Sequence, residues 1–212
     1  MANRQAPFAS VLLCCAAAFG LAVPVSAQSI DFTNAAFVPV SSRGTSIPIG
    51  AYDFCKRLPG ECKPFAKIKQ AEVLTQEKWT ELLWVNASVN ARITPMSDMD
   101  LYGVEEFWTY PGEGYGDCDD IALEKRRELI QLGWPPSTLL MTVVRQTNGE
   151  GHAVLMVRTD RGDLILDNLE GEIRVWNQTP YHFLKRQSQA SLATWVDIWD
   201  DRNAVITAST TQ

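Results

Sequence analysis

The stretch Gly116-Asp117-Cys118-Asp119-Asp120 places one cysteine at the start of a run that reads as a helix to Leu132. A cysteine in the first turn of a helix meets unpaired N–H groups and the positive end of the helix dipole. Both favour a thiolate and can lower the thiol pKa below its ordinary value of about 8.5. The same N–H groups can receive the oxyanion of a tetrahedral intermediate. The three neighbouring aspartates act the other way, because negative charge disfavours a thiolate. A plain structural explanation is a core cysteine behind an aspartate N-cap, with Asp119 and Asp120 complementing the dipole.

A cysteine nucleophile needs a base, and the chain has only two histidines. His152 opens the apolar run His152-Ala-Val-Leu-Met-Val157, so it sits at a strand mouth with its backbone fixed from behind. His182, in Thr179-Pro-Tyr-His-Phe-Leu-Lys-Arg186, falls in an expected connecting segment and is read as a surface residue. A third group should orient the imidazole. Asp167 ends the next strand, Asp163-Leu-Ile-Leu-Asp167, where an acid is hard to explain by packing; Asn168 is the alternative. A tight turn at Arg161-Gly162 would leave Asp167 about four residues from facing His152, so a turn nearer Thr159-Asp160 or a bulge is required.

The elements that must position these residues fall into two halves. Residues 28 to about 72 read as irregular, punctuated by Pro39, Pro48, Pro59 and Pro64. Thr75 reads as the N-cap of a helix carrying Trp79, Leu82, Val85 and Val89 on one face and ending near Pro95. Turns lead into the cysteine helix. Its inner face is expected to carry Cys118, Ile121, Ala122, Leu129 and Leu132, with Glu124, Arg126, Arg127 and Glu128 outside. Gly133 and Pro135-Pro136 end it. Strands are expected at 138–146, 152–159, 163–168, 172–177 and, less distinctly, 192–199, with turns at Asn148-Gly149, Arg161-Gly162 and Glu170-Gly171. Helices followed by an antiparallel sheet make an α+β plan.

The first residues read as an export leader. Arg4 precedes an apolar run from Val11 to Val23, and Val25-Ser26-Ala27 fits a small-x-small cleavage site. The expected division is a cleaved signal peptide over 1–27 and one domain over 28–212, hence a periplasmic or secreted protein. No later segment is apolar enough to span a bilayer. Lys and Arg total 19 against 25 Asp and Glu, for a net charge of −6. That balance gives no basic stripe and excludes a nucleic-acid footprint. Removing Cys14 and Cys15 with the leader leaves Cys55, Cys62 and Cys118. In Phe54-Cys-Lys-Arg-Leu-Pro-Gly-Glu-Cys62 the Pro59-Gly60 turn brings two cysteines together. A Cys55–Cys62 disulfide suited to an oxidising compartment is expected, with Cys118 left free.

A cysteine at a helix start, then histidine and aspartate on successive strands, resembles the transglutaminase-like branch of the papain superfamily. The local text is similar to the bacterial transglutaminase-like cysteine proteinases. The likeness rests on Gly116–Asp120, on Gly151-His152-Ala153-Val154-Leu155 and on Leu166-Asp167-Asn168. Phe107-Trp108 and the Cys55/Cys62 pair add to it. The resemblance implies a papain-like fold with N-terminal helices and the cysteine helix packed on an antiparallel sheet. It implies a Cys118–His152–Asp167 triad acting through a thioester, and calcium held by Asp117 and Asp119. Asp119 stands where the family often has Glu. It further implies a periplasmic protease that cuts a large surface adhesin and is restrained by an inner-membrane cyclic-di-GMP receptor.

Calcium would also reconcile the aspartates with a thiolate, since it prefers oxygen ligands and offsets their charge. Two other functions fit the same residues. A transglutaminase-type acyl transferase would use the same triad with an amine acceptor, and a calcium-stabilised binding module would use none of it.

Overall fold

The computed structural model describes residues 35–202. The expected leader, with Cys14 and Cys15, lies outside the described residues. Chain order is β1 (Val40–Thr45), α1 (Ile49–Arg57), α2 (Gln76–Arg92), β2 (Thr94–Pro95), α3 (Asp98–Tyr102), β3 (Tyr115–Gly116) and α4 (Cys118–Gln131). Then come β4 (Leu139–Arg145), β5 (Gly151–Thr159), β6 (Gly162–Leu166), β7 (Arg174–Val175), β8 (His182–Ser188) and β9 (Ser191–Ile198). The strands other than β2 and β3 form one sheet in the order β1-β9-β8-β4-β5-β6-β7, and every neighbouring pair is antiparallel. The fold is α+β, as the pattern of elements indicated.

α4 is the central helix. It packs on β5 and β4, and α2 packs against it. Thr75 caps α2 by accepting the Lys78 N–H at 3.3 Å, a contact worth about 1 kcal/mol. Trp79, Leu82, Val85 and Val89 are all buried, which is the apolar face read from their spacing. β5 is buried without alternation from His152 to Val157, so both its faces are covered and its backbone is rigid.

Several expectations need correction. The segment before residue 72 is not all irregular. β1 pairs with β9 at the sheet edge, and α1 packs on β9. β1 is polar, and α1 is only nine residues long and follows Pro48 without a side-chain cap, so neither is announced by an apolar run or a capping residue. The segment holding His182 is not a connection but β8, an interior strand between β4 and β9. Its Lys-Arg-Gln run disguises it, yet Arg186 and Gln187 are buried. Gln187 Oε1 accepts the Met141 N–H at 3.3 Å. The strand expected at 172–177 shrinks to β7, followed by a 3₁₀ turn over Trp176–Gln178.

On α4, Leu132 is exposed, whereas Glu124, Lys125 and Arg126 are buried. A helix between a sheet and another helix has little solvent face. Glu124 pairs with Arg92 of α2 at 3.0 Å, and Arg126 Nε donates to the Leu139 carbonyl at 3.3 Å.

The β5–β6 turn also differs from the expected one. Thr159 pairs with Gly162, so the turn residues are Asp160 and Arg161. Gly162 has φ +111°, and a Cβ there would lie 2.7 Å from the Ala36 carbonyl oxygen. Leu155 faces Leu166, so Asp167 continues toward Val154 and lies diagonal to His152 on the same face. No bulge is needed.

Candidate active site

Asp117 is the N-cap of α4, its side chain accepting the Asp119 N–H at 3.3 Å. Cys118 is the first helical residue and is partly exposed. It lines a cavity of about 460 Å³ together with His152, Asp117, Asp119, Glu106 and Trp108. Pro48, Ile49 and Val143 supply an apolar part of the lining. The Ala153 N–H donates to Cys118 Sγ at 3.4 Å, tying the thiol to the strand that carries His152.

His152 Nε2 lies 2.8 Å from Asp167 Oδ1, and both side chains are almost fully buried. That contact leaves Nδ1 as the free ring nitrogen of a residue that shares the cavity with the thiol. Asp167 is well provided with donors. Oδ1 also takes the Leu169 N–H at 3.1 Å, Oδ2 takes the Tyr181 hydroxyl, and its carbonyl takes Asn90 Nδ2 at 2.8 Å. Burial alone would raise its pKa, but His152, Tyr181 and Leu169 more than offset it and hold the carboxyl below the usual range. Asn168 makes none of these contacts. His182 lines a different cavity, with Arg145, and its Nδ1 is 3.7 Å from Asp200.

The Cys118 thiol is pushed far up, first by burial and then by Asp119 and Asp117; the Ala153 N–H opposes this. Burial and the neighbouring acids therefore oppose a thiolate. The acids responsible belong to a larger cluster. Asp98, Asp117 and Asp120 bring carboxylate oxygens within 4.8 Å of one another, and Asp117, Cys118 and Asp119 form an adjoining group. Asp98 gives one oxygen to the Phe107 N–H, and Asp120 gives one to the Thr109 N–H at 2.6 Å. The other oxygens, Asp98 Oδ1 and Asp120 Oδ2, are buried without partners among the described residues, as is Asp119 Oδ2. Burial raises Asp98, pushes Asp120 up to about 8 and lifts Asp119 well above the carboxylate range.

Bare, buried, mutually repelling carboxylate oxygens fit a hard cation such as calcium. The all-oxygen trio fits better than the group that includes a thiol. Gly116 permits this packing, because a Cβ there would come within 2.8 Å of the Asp120 side chain.

The family model of the bacterial transglutaminase-like cysteine proteinases matches residues 41–203, a span that includes every element of this site. The chain belongs to that family. This proteinase is similar to LapG of Legionella pneumophila in its calcium-bound form, at 27% identity with a TM-score of 0.46. That match covers 52% of this chain and 65% of the LapG chain, slightly less than two thirds of its length. The EGTA-treated form of LapG matches at 26% identity over 59% of this chain and 73% of that one, with a TM-score of 0.47. No curated protein matches the chain.

The expected disulfide is present in the proteinase, with Cys55 and Cys62 joined across an S–S distance of 2.03 Å. Cys118 is free. Among the described residues no helix is long and apolar enough to cross a membrane. The sequence reading brought together Cys118, His152, Asp167, Asp117 and Asp119, and all but Asp167 line one cavity. It missed Asp98, which is 20 positions from Cys118 and carried no motif. It missed Tyr181 and Asn90, which meet Asp167 only through the fold. Asp120 was visible, but as a dipole complement rather than as part of a cluster.

Proposed function

We propose that the proteinase is an exported, calcium-dependent cysteine endopeptidase with Cys118 as nucleophile, His152 as base and Asp167 as orienting acid. The observation that carries this reading is the His152 Nε2–Asp167 contact of 2.8 Å, which leaves Nδ1 for a thiol in the same cavity. His152 takes the thiol proton at Nδ1 while Sγ attacks the scissile carbonyl carbon. The oxyanion is received by N–H groups of the first turn of α4. The imidazolium then gives that proton to the leaving amine, and a thioester to Cys118 remains. His152 next removes a proton from water, the hydroxide displaces Sγ, and the acid product leaves with the thiolate reprotonated. Asp167 keeps the Nε2–H and stabilises the imidazolium without itself taking the proton.

Asp98, Asp117 and Asp120 would hold calcium, with Asp119 adjacent. The ion would neutralise the cluster that otherwise opposes a thiolate. The exported location is supported by the leader-like first 27 residues and by the disulfide. A large surface adhesin as substrate and an inner-membrane cyclic-di-GMP receptor as restraint are supported by the family resemblance.

The test is digestion of a peptide library by the calcium-loaded protein beside Cys118→Ala, with and without a labelled primary amine. Cleavage lost in Cys118→Ala supports the peptidase. Cleavage retained in that variant refutes it. Amine incorporation without hydrolysis assigns the acyl-transferase reading instead.

A further inference from the structure

Tyr181 lies between Pro180 and the start of β8, is 5% exposed, and belongs to none of the motifs that mark the site. Its hydroxyl meets Asp167 Oδ2, and its ring centroid is 5.5 Å from that of His152 at an interplanar angle of 55°. Asp167 needs such a tie. β6 ends at Leu166, so Asp167 is not held by the strand ladder. Its Oδ1 is already shared between His152 and Leu169, and Tyr181 is the side-chain donor to Oδ2.

Burial and then the Asp167 contact raise the Tyr181 phenol, while hydrogen bonds hold the Asp167 carboxyl low. Both directions agree with a hydroxyl that donates and a carboxylate that accepts. Lys125 of α4 is the other charged group that feels Asp167, and Glu170 and Arg174 lie near the Tyr181 hydroxyl.

We propose that Tyr181 is a positioning residue that acts through Asp167: by holding Oδ2 it fixes the carboxylate so that His152 keeps its proton on Nε2 and presents Nδ1 to the thiol. The inference rests on the triad reading. Without the hydroxyl, the carboxylate can rotate about its own axis, and the imidazole loses its fixed tautomer and tilt. The cost should resemble that of one charge-assisted hydrogen bond.

The test needs no substrate. Alkylation by iodoacetamide is followed at the Cys118 peptide by mass spectrometry in the calcium-supplemented full chain. The His152 Nε2–H is followed by NMR after histidine labelling, with His182→Ala to simplify the spectrum. Tyr181→Phe should slow alkylation about tenfold and should shift and broaden the downfield Nε2–H signal. Added to Asp167→Asn it should slow alkylation no further, because the two act through one bond. Wild-type alkylation with an unchanged Nε2–H signal overturns the proposal, as does a multiplicative loss in the double variant. Should Tyr181→Phe fail to fold, Tyr181→Leu is read in its place, slowed alkylation with a shifted Nε2–H supporting the proposal and wild-type values of both overturning it. Unchanged alkylation in His152→Ala would instead sink the triad reading itself.

Discussion

On the sheet side of the cavity, Asp167 gives both its oxygens to donors and is held below the usual carboxylate range. On the helix side, Asp98, Asp119 and Asp120 each leave an oxygen bare, and all three are raised. The first group of acids is completed by the chain itself. The second group has no such donors for those oxygens among the described residues, which is the ground for proposing a cation there. One half of the site is thus set by the chain's own hydrogen bonds, whereas the other would, on the proposed calcium reading, depend on metal. The thiol stands between them, tied to β5 through Ala153 and pushed up by Asp119 and Asp117.

The largest expected effect breaks the thiol and the sheet-side base that serves it. Cys118→Ala and His152→Ala should each lower peptide hydrolysis by about 10⁴-fold or more. His182→Ala, whose residue lines another cavity, should change it less than about twofold, the scale of an ordinary surface substitution. Equal losses in His152→Ala and His182→Ala, both folded, would remove the distinction between the two histidines.

Next comes the charge buried behind the triad. Lys125 is 1% exposed, and burial pulls it down to about 7, with Asp167 opposing. Between about pH 7 and its unfolded value near 10.4 the unfolded chain binds more protons. Stability should therefore rise with pH through that window, by an amount on the order of 5 kcal/mol. Lys125→Met should raise the thermal midpoint at pH 7 and abolish that rise. A midpoint independent of pH in the unsubstituted protein over the same window would contradict it.

The helix side should show the opposite slope. Asp120 is raised to about 8 without metal. Between its unfolded value near 3.9 and about 8 the native state binds more protons. The stability of chelator-treated protein should therefore fall as pH rises from about 4 to 8. Calcium should remove this fall, and Asp120→Asn should weaken it. Thermal melts across pH, with and without chelator, check both.

The smallest effect sharpens the metal assignment. Calcium at a hundred times its dissociation constant should stabilise the protein by about 2.7 kcal/mol. Asp98→Asn should weaken calcium binding by about tenfold or more in calorimetric titration, the size of a 1.4 kcal/mol loss. Loss on Asp119→Asn but not on Asp98→Asn would move the ion to the group beside the thiol.

The sequence by itself determined the chemistry-bearing residues that sit in short local patterns. Cys118 at a helix start, His152 at a strand mouth, Asp167 at a strand end and the Cys55–Cys62 pair all follow from neighbours a few positions away. Helix caps, two-residue turns and apolar periodicity are local, so they are written locally. The α+β plan follows for the same reason. What only the tertiary structure decided depends on separations that no pattern spans. Asp98 meets Asp120 because α3 is carried against the start of α4. Tyr181 and Asn90 meet Asp167 because β8 and α2 bring them there. β8 itself was hidden because its buried residues Arg186 and Gln187 are polar, and only the fold brings the Met141 N–H of β4 to Gln187 Oε1. The burial of Lys125 could not be read either, because whether a charged helix face meets water is settled by what packs over it.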